Sequence, residues 1–66
     1  MKKKTLESVL INDWAGVKTD HSFFKTISND AFAGYITAMT LQDCRGEWSV
    51  SEIYNKAKEL LAEGKL

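Results

Sequence analysis

Proline is absent from this sequence, cysteine occurs once, and no uninterrupted apolar run approaches the 18 or so residues that span a bilayer. Each shortage removes a class of protein. One cysteine cannot close an internal disulfide, which removes the small secreted scaffold stapled by bridges. One cysteine and one histidine do not compose a zinc site without carboxylates or a second chain, so no metal is expected. Lys2 to Lys4 resemble the charged start of a signal peptide, but Glu7, Asn12 and Asp13 break the apolar stretch that should follow. The reading is a cytoplasmic chain that neither enters nor spans a membrane.

Charge of one sign is also lacking. Nine Lys plus Arg balance nine Asp plus Glu. Holding a polyanion usually demands a basic surplus, so nucleic acid is not expected as the main partner. The balance is uneven: residues 1 to 25 hold five basic and three acidic side chains, and the remainder four basic and six acidic. Screening over about 10 Å leaves this dipole weak. Glycines stand alone at 16, 34, 46 and 64, so no phosphate-cradling loop is written here.

What is present is helix grammar. The 66 residues predict a single mainly α domain of three helices, over about 5–15, 28–44 and 49–63. In the last, Val50, Ile53, Tyr54, Ala57, Leu60 and Leu61 form one apolar stripe. Ser49 and Glu52 have capping-box spacing, Trp48 and Ile53 stand where a hydrophobic staple joins, Glu52 and Lys56 are placed to pair, and Gly64 is the stop.

In the middle segment Ser28 can cap, with Ile27 and Phe32 as staple and Asp30 in the first turn. Phe32, Tyr35, Ile36 and Met39 follow one face. Ala31, Gly34, Ala38 and Leu41 make a second stripe of mostly small residues, expected to admit another helix closely. In the first segment Leu6, Val9, Leu10, Asp13 or Trp14, and Val17 share a looser stripe, with Thr5 as cap and Gly16 as stop. Residues 17 to 27 hold no lasting periodicity. Within them, 22 to 27 read as a short strand or an extended segment.

Little here points to catalysis. His21 beside Asp20 has the composition of an acid–base pair, but the preferred reading is a solvent-facing turn. Cys44 would be a nucleophile only within hydrogen-bond reach of His21, and a helix C-terminus disfavours its thiolate. The carboxylates are too scattered for a metal cluster or a hydrolase pair. The expectation is a protein that is not an enzyme and needs no cofactor.

Aromatic residues are the one abundance: two Trp, two Tyr and three Phe in a chain whose core must be thin. Some of the seven should reach the surface, and an exposed aromatic patch is the usual mark of a protein contact. Trp14, Phe23, Phe24, Tyr35 and Trp48 are the candidate partner-binding residues. The function expected is a regulatory or interaction module that docks this aromatic and aliphatic patch on another protein or on a second copy of itself.

A second expectation comes from resemblance. Trp48-Ser49-Val50-Ser51-Glu52-Ile53-Tyr54-Asn55-Lys56, with Glu59 and the ending Glu63-Gly64-Lys65-Leu66, resembles the second helix of Arc-type ribbon-helix-helix repressors. The likeness covers about a quarter of the chain. It implies a dimeric DNA-binding regulator in which Phe23 to Ile27 form the ribbon and Ser49 and Val50 meet phosphate. The would-be ribbon holds one Lys and lacks polar alternation, and residues 1 to 20 have no counterpart in that minimal fold.

Overall fold

In the computed structural model of the chain, which describes residues 5–43 and 46–66, helices begin where side chains can satisfy their first free N–H groups. Thr5 Oγ1 accepts from the Ser8 N–H at 3.1 Å and opens α1, Leu6–Trp14. Ser28 Oγ accepts from the Ala31 N–H at 3.1 Å and opens α4, Asn29–Asp43. Ser49 opens α5, Val50–Ala62, with a complete capping box: its Oγ accepts from the Glu52 N–H at 3.2 Å, and Glu52 Oε1 accepts from the Ser49 N–H at 3.0 Å. Between α1 and α4 lie two single-turn helices, α2, Val17–Asp20, and α3, Ser22–Lys25.

Helix ends follow the same local logic. At the end of α5 the Gly64 N–H donates to the Leu61 carbonyl and the Lys65 N–H to the Leu60 carbonyl, at 3.2 and 2.9 Å. This Schellman pairing uses the left-handed conformation of Gly64, φ 78°. It turns Leu66 back to pack against the core. Cys44 lies outside the described residues, so the end expected for the middle helix is seen only as far as Asp43.

The core is small. Leu10, Phe32, Ala33, Ile36, Ile53, Ala57 and Leu60 are fully buried, contributed by α1, α4 and α5. The α4–α5 seam is the largest packing contact of the fold. Ala33 and Ala57 carry short side chains in that core. Thr37 is buried with them on α4, and its hydroxyl donates to the Ala33 carbonyl at 2.7 Å, so it enters the dry interior already satisfied. Two ion pairs tie elements across the outside: Lys58 of α5 to Asp30 of α4 at 2.8 Å, and Lys65 to Glu7 of α1 at 3.8 Å.

The mainly α reading holds, and three details differ. Residues 22 to 27, expected as a strand or extended segment, wind into α3 and its closing turn, and there is no strand among the described residues. A lone strand leaves its backbone groups unpaired, whereas a helical turn satisfies them in place: the Phe24 N–H donates to the His21 carbonyl at 3.0 Å and the Thr26 hydroxyl to the Phe23 carbonyl at 3.0 Å. Glu52 does not pair with Lys56. It is taken up by the capping box, and Lys56 reaches Glu59 at 3.4 Å. Of the stripe Ala31, Gly34, Ala38 and Leu41, expected to receive another helix, the first three face solvent and Leu41 is half-buried against the core, while the buried face is turned to Ala33, Thr37 and Thr40.

Candidate functional site

The site is assembled by one sharp turn. Gly16 has φ 82°, a left-handed conformation that costs a side-chain-bearing residue about 1–2 kcal/mol, and it follows Ala15, the cap that closes α1 after Trp14. Its carbonyl then accepts from the Asp20 N–H at 2.9 Å and from the Thr19 hydroxyl at 3.0 Å, which fixes α2. His21, extended at φ −108° and ψ 119°, changes direction once more and starts α3. The path returns Phe23 and Phe24 to the flank of α4, beside Phe32 and Tyr35.

Four of the five predicted residues meet there. Phe24 is the hub: its ring centroid lies 5.2 Å from Phe23, 5.0 Å from Phe32 and 5.2 Å from Tyr35. Trp14 stands edge-on to Phe32 at 5.7 Å and to Tyr35 at 5.6 Å, with interplanar angles of 84° and 88°. These are the edge-to-face arrangements that ring quadrupoles favour, each contributing about 0.5–1.5 kcal/mol beyond burial. The cluster grades from inside to outside. Phe32 is fully buried, Trp14 and Phe24 are half-buried, and Tyr35 and Phe23 are 44% and 68% exposed.

Trp48 is elsewhere. It precedes α5, is half-buried, and packs against the core to which Ile53 belongs. Its position suits the staple expected of it rather than the patch. Sequence reasoning did not identify Phe32 as the floor of the cluster or His21 as its rim. The i, i+3 spacing of Phe32 and Tyr35 was the available signal for the first. Nothing local signalled the second, since His21 joins through an edge contact to Phe24 at 6.0 Å and 86°.

The catalytic signals do not converge. No hydrogen bond joins His21 to Asp20 among the described residues, and His21 is exposed at the rim of an apolar cluster. Cys44 lies outside the described residues, so its meeting with His21 is not on view. No group of three or more His, Cys, Asp or Glu side chains gathers where a metal could sit among the described residues. Among the described residues one charged group is perturbed, and it is remote from the patch: the Lys58 ammonium, hydrogen-bonded and charge-paired to Asp30, is held above its ordinary pKa, and Tyr54 adds to the shift. The Lys58 Nζ also lies 5.6 Å from the Tyr54 ring centroid.

What the site offers is ring faces and edges anchored in a core, able to bury apolar surface of a partner. No described helix is long and apolar enough to cross a membrane. No family model matches the chain, and neither curated proteins nor solved structures provide a match.

Proposed function

We propose that this chain is a small cytoplasmic, non-enzymatic interaction module that docks a partner protein through Trp14, Phe23, Phe24 and Tyr35. One observation carries the reading: Phe23 is 68% exposed at the outer end of a continuous ring cluster whose inner end, Phe32, is fully buried. An exposed ring on a rigid base is pre-organised, so little side-chain freedom remains to be lost on docking. Fully burying a Phe side chain is favourable by about 1.5–3 kcal/mol, the scale of an interface hot spot. The interaction reading is preferred to a DNA-binding one because the ribbon of a ribbon-helix-helix dimer would have to form from Phe23 to Ile27. That segment is helical over Ser22–Lys25 here.

Site-specific photo-crosslinking in the native host tests this. p-Benzoylphenylalanine at position 23 should yield a discrete crosslinked species, and the same probe at exposed Asn55 should not. Phe23→Ser gives up the edge contact with Phe24 and should lower stability by about 0.5–1.5 kcal/mol with the fold retained, yet weaken the captured contact at least tenfold. Equal crosslinking from both positions, or from neither, would remove the patch as the docking surface.

A further inference from the structure

Residues 17 to 26 are joined to the molecule differently from the helices on either side. None of them is fully buried, whereas α1, α4 and α5 each contribute to the buried core. The main packing contact of α2 is with α3, and neither makes a large one with α1, α4 or α5. Their hydrogen bonds are local as well. The Asp20 and His21 N–H groups donate to the Gly16 and Val17 carbonyls, and those of Phe24 and Lys25 both donate to the His21 carbonyl. The Thr19 and Thr26 hydroxyls donate to the Gly16 and Phe23 carbonyls. Among the described residues, no hydrogen bond or ion pair runs from 17–26 to α1, α4 or α5.

What holds the segment down is apolar. Val17 and Phe24 are half-buried and pack against the core, and Phe24 alone places its ring on α4, with its centroid 5.0 Å from Phe32 and 5.2 Å from Tyr35. Both ends are closed without it. α1 finishes on the bond from the Ala15 N–H to the Ile11 carbonyl at 3.0 Å, before Gly16 turns the chain. α4 starts on its own bonds, since Ser28 Oγ accepts from the Ala31 N–H and the Ser28 carbonyl from the Phe32 N–H. Lifting 17–26 therefore breaks no bond of either helix, and Gly16 is a ready pivot.

We infer that residues 17–26 are a strap that leaves and rejoins the flank of α4 as one unit, with Phe24 as its latch. Two properties make it a unit. One ring secures both turns, and a helix of four residues cannot hold itself in water, so release of the latch frees α2 and α3 together. Segments with few buried contacts open at a lower free energy than the whole fold. Opening uncovers Phe32 and parts Phe23 and Phe24 from Trp14 and Tyr35. The consequence for function rests on the docking reading: the patch exists only while the strap is closed, so closure and partner binding are coupled.

Native-state hydrogen exchange of the whole chain, followed by NMR in rising urea below the unfolding transition, tests the strap without any partner. The Asp20, His21, Phe24 and Lys25 amides should share one protection factor within about threefold, at least about tenfold below those of Ile36 and Ala57. They should respond to urea with less than about half the slope of those two, because opening the strap exposes little surface. Phe24→Ala should lower all four protection factors together by about fivefold or more, Asp20 of the preceding turn included; if that variant does not fold, Phe24→Leu should lower all four by about twofold. Four unrelated protection factors, no protection at all, or the urea slope of global unfolding at all four overturns the strap. So does a Phe24 variant that changes Phe24 and Lys25 but leaves Asp20 and His21 as they were. A chain that fails this test yet still crosslinks from position 23 loses the strap and keeps the docking reading; one that passes it but crosslinks from neither position keeps the strap and loses the docking.

Discussion

Replacing glycine by alanine should act with opposite sign at two positions, and the contrast measures whether α4 is exposed as described. At Gly34 the backbone is helical and the added methyl meets nothing within 4 Å. Alanine there removes the helix-propensity penalty of about 1 kcal/mol, mostly by restricting the unfolded chain. Unfolding entropy of about 2.1 cal/mol/K per residue gives roughly 0.14 kcal/mol/K for 66 residues, so Gly34→Ala should raise Tm by about 7 °C. At Gly16 the same methyl must adopt φ 82° and meets Asp20 Oδ2 at 3.5 Å. It should lower stability by about 1–2 kcal/mol, or roughly 7–14 °C.

Thermal melts followed by circular dichroism at about 10 μM decide the matter. A fall in Tm for Gly34→Ala at 10 μM would refute the reasoning, by showing that a neighbour already fills the space beside Gly34. A change of the same sign at both glycines would do so equally.

Three further substitutions probe the framework. Phe32→Ala empties the largest fully buried side chain; its cost of about 3–5 kcal/mol matches all that a single core of this size supplies, and the variant should show no cooperative melt above 25 °C. Ser49→Ala removes the acceptor of the Glu52 N–H and dismantles the box, lowering stability by about 1 kcal/mol, and a change within about 0.5 kcal/mol of zero, the usual range of an uninvolved surface position, would count against the cap. Lys58, raised above the ordinary lysine value of 10.5 by Asp30, contributes its bridge fully below that value and loses it as pH climbs through the raised one. Its Cε resonance should therefore titrate above 10.5, and Asp30→Asn should bring it back; an unchanged titration in that variant would refute the cause.

The features legible in the sequence are those that close within one turn of helix. Thr5, Ser28, the Ser49–Glu52 box and the stops at Gly16 and Gly64 each complete a bond to a backbone group three to five residues away, or free it, so residue type and spacing suffice. The stripe of α5 was legible from Ile53 to Leu61 because its outer face is charged, whereas Val50, read as its first member, is 58% exposed. That of α4 was not, because apolar and small residues run all round it and periodicity cannot choose between Ala31–Gly34–Ala38 and Ala33–Thr37–Thr40. The choice is made by what α5 presents, and no local pattern records it. The ion pairs from Lys58 to Asp30 and from Lys65 to Glu7 are equally invisible, since they join residues far apart in the chain. In 22 to 27 the aromatic and β-branched residues signalled a strand or an extended segment, but a strand needs a partner that this chain does not supply among its described residues.

For the candidate patch, the sequence argument was one of overflow: seven aromatics exceed what a thin core can hide. The structure supplies a reason for where the excess goes. Ala33 and Ala57 are fully buried, and Thr37 and Thr40 nearly so, so the side of α4 nearest the interior is lined with short side chains. Close-packed interiors leave few voids, and a seam set by such residues has no volume for a second large ring beside Phe32. The remaining rings of the amino-terminal half must lie on the outer flank of α4, where α1, α2 and α3 deliver Trp14 and Phe24 as a half-buried layer, with Phe23 and Tyr35 beyond it. Small residues inside and aromatic residues outside are thus two aspects of one packing arrangement. Enlarging the seam would not draw the rings in; it would push α5 away and cost the fold its main contact.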